Sequence, residues 1–182
     1  MTGRAGGRAD GRTRAGAALG ACLALTFAAA PRLKAQDVGL ELGTTPSVAA
    51  PVQDMDGRAA DLSQLYVGTK PVLIEFWATW CPICARLLPK MEAAHRRYGG
   101  QVEFVVVGVG VNETRETMRR HLARHPMPFR FYFDDAGAAV RAFEAPSTSY
   151  IVALDARGRV VYTGIGEDQD VEAAARRAAG GR

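Results

Sequence analysis

Val72-Leu73-Ile74-Glu75-Phe76-Trp77-Ala78-Thr79-Trp80-Cys81-Pro82-Ile83-Cys84 is the stretch that decides the fold. Apart from one acid, its first six residues are apolar, β-branched or aromatic, the composition of a parallel strand buried on both faces. From Ala85 to Tyr98 the apolar residues Leu87, Met91, Ala94 and Tyr98 step by four, three and four, the spacing of one helix face. The two cysteines therefore fall where a strand ends and a helix begins, which is where open α/β sheets place their chemistry. Free backbone N–H groups and the positive end of the helix dipole favour a thiolate at Cys81. Two intervening residues put Cys84 one helical turn further on, within reach of a disulfide with Cys81. So short a loop is a poor entropic staple and a good reversible couple. Cys81 is accordingly the candidate nucleophile and Cys84 the resolving thiol.

The strand, the run Trp77-Ala78-Thr79-Trp80-Cys81-Pro82-Ile83-Cys84 and the helix after it resemble the thioredoxin superfamily. Within it they are most similar to the exported, TlpA/ResA-type thioredoxin-like branch, which includes the reductants of cytochrome c maturation. Glu75, six residues before Cys81, stands where thioredoxins carry a buried acid, and Pro89, five after Cys84, matches the family's helix-kinking proline. Ala145-Pro146, followed by the strand-like 149–154, resembles the family's cis-proline loop. The resemblance implies an α/β fold of thioredoxin type: a central mixed β-sheet flanked by helices, with an N-terminal β-hairpin extension. It also implies a protein disulfide oxidoreductase with no cofactor beyond its cysteines, a disulfide-bearing protein substrate and an upstream thiol electron donor. Trp80, Pro82, Ala145 and Pro146 become the candidate substrate contacts. A cis bond before Pro146 would leave the Ala145 backbone beside Cys81, free to pair with an extended substrate as an added strand. Two positions depart from the family: Leu87 replaces the Glu usual in the exported reductants, and Pro82 leads the intervening dipeptide, as in the exported oxidases, without the His that follows it there. The direction of electron flow stays open; the surrounding Trp-Ala-Thr-Trp leans towards a reductant.

Glu75 lies in an otherwise apolar strand, and a buried carboxyl group resists ionisation. With a raised pKa it can relay a proton, through water, to or from Cys84. The alternative is an edge strand on which Glu75 faces solvent. A competing function is a metal- or copper-handling binding protein of the same fold without redox turnover, in which the cysteine pair is half of a site that needs two more ligands, with only His95, His121 and His125 on offer. His121 and His125 are spaced i, i+4, but they begin 37 residues after Cys84, far from finger spacing; a solvated helix face among Arg119, Arg120 and Arg124 explains them better, and no metal ligand is assigned. A peroxidase using one cysteine would not call for the pair.

Residues 1–35 hold six Lys or Arg and one acid, so the net charge of +4 for 182 residues leaves the remainder near −1. The alkaline character belongs to this segment, and nucleic-acid binding loses its main support. A basic start, an apolar run from Ala15 to Ala30 and small residues near Ala28 to Ala30 or at Ala35 read as an export signal or a retained N-terminal membrane anchor. Leu19-Gly20-Ala21-Cys22 has the look of a lipoprotein signal box. The expected organisation is a signal or anchor over 1–35, a linker over 36–46 and the thioredoxin-like domain over 47–182. An exported, periplasmic location follows, with a membrane tether as the variant.

Further along, 48–55 and 59–65 flank Asp56-Gly57 and predict a hairpin, with an irregular loop capped by Asp61 as the alternative. Val102–Val109 predicts a second buried parallel strand, Asn112 the N-cap of a helix over 113–124, and 129–133 a strand or extended segment. A short helix over 136–143, a hairpin of 150–154 with 159–163, and a helix over 171–179 capped by Asp168 or Asp170 complete the order.

Overall fold

The computed structural model describes residues 39–46, 49–66 and 70–181, so the segment read as signal or anchor, Cys22 included, lies outside the described residues. In chain order the elements are β1 (Pro51–Asp54), β2 (Ala59–Asp61), α1 (Ser63–Tyr66), β3 (Val72–Trp77), α2 (Pro82–Tyr98) and β4 (Glu103–Val109). Then follow α3 (Arg115–Arg124), β5 (Arg130–Asp134), α4 (Ala138–Ala142), β6 (Tyr150–Leu154), β7 (Val160–Gly164) and α5 (Val171–Ala178). The seven strands form one mixed sheet in the order β2-β1-β5-β4-β3-β6-β7. β3, β4 and β5 run parallel, β6 pairs antiparallel with β3, and the N-terminal hairpin extends the sheet through β1 against β5. This is a thioredoxin-like fold, α/β with an open sheet.

β3 lies between β4 and β6, and every residue of it is buried. Alternation along the strands divides the two faces. Leu73 clusters with Leu87, Met91 and Ala94 of α2 and with Val171, Ala174 and Ala175 of α5. Glu75 follows on the same face as Leu73. Phe76 points to the other face, where its ring meets Phe143 at 5.9 Å, just past α4. α3 covers the Glu75 face too: a Cβ on Gly108, the partner of Trp77 across β3 and β4, would come within 1.8 Å of Met118 Cε. Met118 is fully buried, so even its flexible end has little room to move. Gly108→Ala is expected to lower stability by about 1–3 kcal/mol through overpacking, read from the midpoint of urea unfolding; an unchanged midpoint would mean that α3 shifts freely.

The sequence expectations need three local corrections. The helix α3 is capped by Thr114, not Asn112: Thr114 Oγ1 accepts from Thr117 N, and Thr117 Oγ1 accepts from Thr114 N. Asn112 instead turns the chain at φ 51°, a left-handed conformation that asparagine tolerates. The hairpin is shorter than its apolar runs, because Asp61 Oδ1 accepts from the N–H groups of Ala50 and Ser63 and stops the second arm. A single turn of helix follows at α1. The short helix before β6 starts at Ala138, where the buried Asp134 accepts from the N–H groups of Ala138 and Val140. Residues 39–46, the described part of the expected linker, run beside β7, with Gly43 N–H donating to Val160 O and Val160 N–H to Thr44 O, both at 2.8 Å.

Candidate active site

Cys81 is the N-cap of α2, with extended backbone (φ −85°, ψ 104°) and Pro82 in the first helical position, where a missing N–H costs nothing. It is disulfide-bonded to Cys84, with the two Cα atoms 5.3 Å apart. The Cys84 N–H donates to Cys81 Sγ at 3.1 Å, so one of the free amides of the helix start addresses this sulfur. Cys81 is 5% exposed and Cys84 1%, so both residues are buried and Cys81 slightly less so. The surface above them is apolar: Trp80 is 47% exposed and Ile83 37%.

Beside this turn lies a groove of about 290 Å³, lined by Trp80 and Val111 and by Ala145, Pro146 and Ser147 among others. Three of the four expected substrate contacts, Trp80, Ala145 and Pro146, thus meet around one cavity. Pro82 is exposed at the helix start but does not line the groove. The proline loop is tied down at its far end. Ser149, buried and left-handed at φ 63°, donates its N–H to Phe76 O at 2.7 Å, at the end of β3. Its carbonyl accepts from Gln169 Nε2 at 2.8 Å, and its Oγ accepts from Gly166 N–H at 3.2 Å. The loop between β7 and α5 therefore holds the end of the loop that lines the groove.

Glu75 is 2% exposed, and its Oε1 has no hydrogen-bond partner among the described residues. Burial alone pushes its carboxyl group up from 4.5 to about 8. The edge-strand alternative fails, since Glu75 pairs with Val106 on one side and Ile151 on the other. It shares the sheet face that α2 covers, and Cys84 is on the buried side of α2.

The expectation for the histidines also needs correction. His121 is no freely solvated face residue: its ring meets Trp77 edge-on at 5.5 Å and lies 4.7 Å from His125. Burial first, then the nearby His125 and Arg124, holds its pKa below the ordinary value. Among the described residues no group of three or more His, Cys, Asp and Glu side chains is placed to hold a metal ion. No helix among them is long and apolar enough to cross a membrane.

Sequence reasoning missed Glu113 and Gln169. Gln169 lies in a polar loop and gives no signal in the sequence. Glu113 was hidden by the choice of Asn112 as cap; the Thr114-x-x-Thr117 spacing after it is the signal that would have moved the helix start.

The Redoxin family model matches residues 35–178. The chain is similar to the thiol-disulfide oxidoreductase ResA of Halalkalibacterium halodurans, at 29% identity over 66% of this chain and 68% of that one. It is also similar to a thiol:disulfide interchange protein TxlA homolog of Synechocystis, at 31% identity over 46% of each. Among solved structures, the thioredoxin domain of a thiol-disulfide oxidoreductase from Bacteroides vulgatus superposes with a TM-score of 0.64 over 76% of this chain and 97% of that one, at 16% identity.

Proposed function

Because the chain belongs to the Redoxin family, we propose that it is an exported thiol–disulfide oxidoreductase that reduces or exchanges disulfides of other proteins through the Cys81–Cys84 couple. The observation that carries the proposal is the Cys81–Cys84 disulfide at the start of α2, directly after Trp80, which lines an apolar groove. In the reducing direction, an upstream dithiol first reduces the pair and is itself oxidised. The Cys81 thiolate then attacks one sulfur of a partner disulfide, forms a mixed disulfide and expels the partner's other sulfur as a thiolate. Cys84, once deprotonated, attacks Cys81 Sγ, closes the intramolecular disulfide and releases the second partner thiol.

Glu75 supplies what the second step lacks. An acid with a pKa near 8 both takes and gives a proton near neutral pH, as an ordinary carboxylate does not. Its place beneath α2 suits exchange with the Cys84 thiol through water. Residues 1–35, with their basic start and apolar run, support export, and the cysteine pair suits work on exported proteins, in cytochrome c maturation or periplasmic thiol homeostasis.

Insulin reduction with dithiothreitol as donor tests the activity: catalysis that vanishes in Cys81→Ser supports it, and equal rates with and without the protein overturn it. The direction follows from the equilibrium potential of the couple measured against glutathione: a value near −270 mV, the reducing end of the roughly −270 to −120 mV span of such folds, marks a reductase. Pro146→Thr replaces an apolar wall of the groove with a hydroxyl. The Michaelis constant for insulin is expected to rise roughly three- to tenfold, the scale of one lost contact, with a smaller effect on stability. An unchanged Michaelis constant would make Pro146 a turn former only.

A further inference from the structure

We infer that Glu113 is a positioning residue for substrate capture: its carboxylate clamps the turn that carries Trp80 and Cys81 to the loop before α3, and so sets the width of the groove. The inference rests on the reductase reading above and adds a residue to it. Glu113 is only 8% exposed although it lies in a surface loop. Its Oε2 accepts from both the N–H (2.9 Å) and the hydroxyl of Thr79, two residues before Cys81. Its Oε1 accepts from the Thr117 hydroxyl. Thr117 belongs to the capping box of α3, so the clamp is anchored to the fixed start of a helix rather than to a free loop.

One residue after Thr79 and two before Glu113 lies a second tie. The indole N–H of Trp80 donates to Val111 O at 2.9 Å, and Trp80 and Val111 are the two side chains that form one wall of the groove. Val111 is the most exposed large apolar residue described, at 62%. Neither side chain is held there by burial; hydrogen bonds at Thr79 and Trp80 hold this wall. The burial of Glu113 raises its pKa, but the hydrogen bonds from Thr117 and Thr79 outweigh that and lower it overall, so the clamp is anionic at neutral pH. Hydrogen bonds to a charged acceptor are among the stronger ones in proteins. The left-handed turn at Asn112 aims the chain so that Glu113 points back at Thr79.

A wall that positions a protein substrate should matter for a protein and little for a small disulfide that needs no groove. The test compares insulin with 5,5′-dithiobis(2-nitrobenzoate) as substrates of the full chain. For Thr79→Val, which keeps the size but removes one donor, and for Glu113→Gln, the Michaelis constant for insulin is expected to rise about fivefold to tenfold, the scale of one ordinary hydrogen bond. The turnover number should stay within about twofold, and the rate with the small disulfide should not change. Thr79→Ser, which restores the hydroxyl, is expected to bring the Michaelis constant back to the wild-type value. A merely structural Glu113 would slow both substrates together. The inference is overturned if that happens, or if Thr79→Val and Thr79→Ser both match the wild type with insulin. If the wild type reduces neither substrate, the reductase reading fails, and the clamp fails with it.

Discussion

Cys84→Ser is expected to leave the protein covalently joined to its substrate, and Cys81→Ser to trap almost nothing. The helix start creates the asymmetry. Cys81 is the N-cap, receives the Cys84 N–H at 3.1 Å and is the more exposed of the two residues at 5%, whereas Cys84 lies inside the first turn at 1%. An N–H donor and the positive end of a helix dipole stabilise a thiolate; burial without them stabilises a thiol. In Cys84→Ser the attacking thiolate remains and the resolving thiol is gone, so the mixed disulfide persists and is recoverable after acid quenching. In Cys81→Ser the remaining thiol is buried and lacks the N-cap position of Cys81. Turnover with insulin should fall on the order of a hundredfold or more in both variants, since each lacks one partner of a unit that acts as a whole. Alkylation of the reduced protein at pH 6 should label Cys81 first. If Cys84 labels faster, or if Cys81→Ser is the variant that captures partners, the two roles are reversed.

How much of this was legible beforehand differs between elements, for physical reasons. β3 and α2 could be read almost to the residue, because a fully buried strand and an amphipathic helix leave two different periodicities in the sequence. The hairpin arms could not, because Asp61 ends the second arm with two side-chain hydrogen bonds that no hydrophobic pattern encodes. The same holds for the start of α3, where Asn112 and Thr114 are both good caps on paper. The Thr114–Thr117 capping box and the bonds of Glu113 to Thr79 together account for the chain turning at one and capping at the other. The cysteines and Glu75 stand out in the sequence because each is chemically out of place in its setting, and Pro146 stands out through the resemblance of its loop. Gln169, which holds Ser149 from 20 residues away, is ordinary in its setting and becomes visible only in space.

Glu75→Gln is expected to make the protein more stable and slower. The folded-state pKa of Glu75, about 8, lies above its ordinary 4.5, so between these values the folded chain keeps a proton that the unfolded chain has released. Stability therefore falls with rising pH in that window, by at most about 1.4 kcal/mol per unit for one group, and the loss levels off above about 8. Gln carries no proton to lose. The variant and the wild type should be equally stable near pH 4, and should diverge in favour of the variant, on the order of a few kcal/mol, by pH 8. Comparing the two proteins cancels every other titrating group, and urea unfolding of the oxidised forms from pH 4 to 9 measures it. Parallel curves would mean that Glu75 ionises as freely folded as unfolded, against its burial. Kinetics decide what the cost is for. If release of the partner thiol slows near neutral pH in Glu75→Gln, the buried acid is retained for the proton it moves at Cys84. Rates unchanged across pH 6–9 in a stabilised variant would remove Glu75 from the mechanism and leave a buried acid that only destabilises the fold.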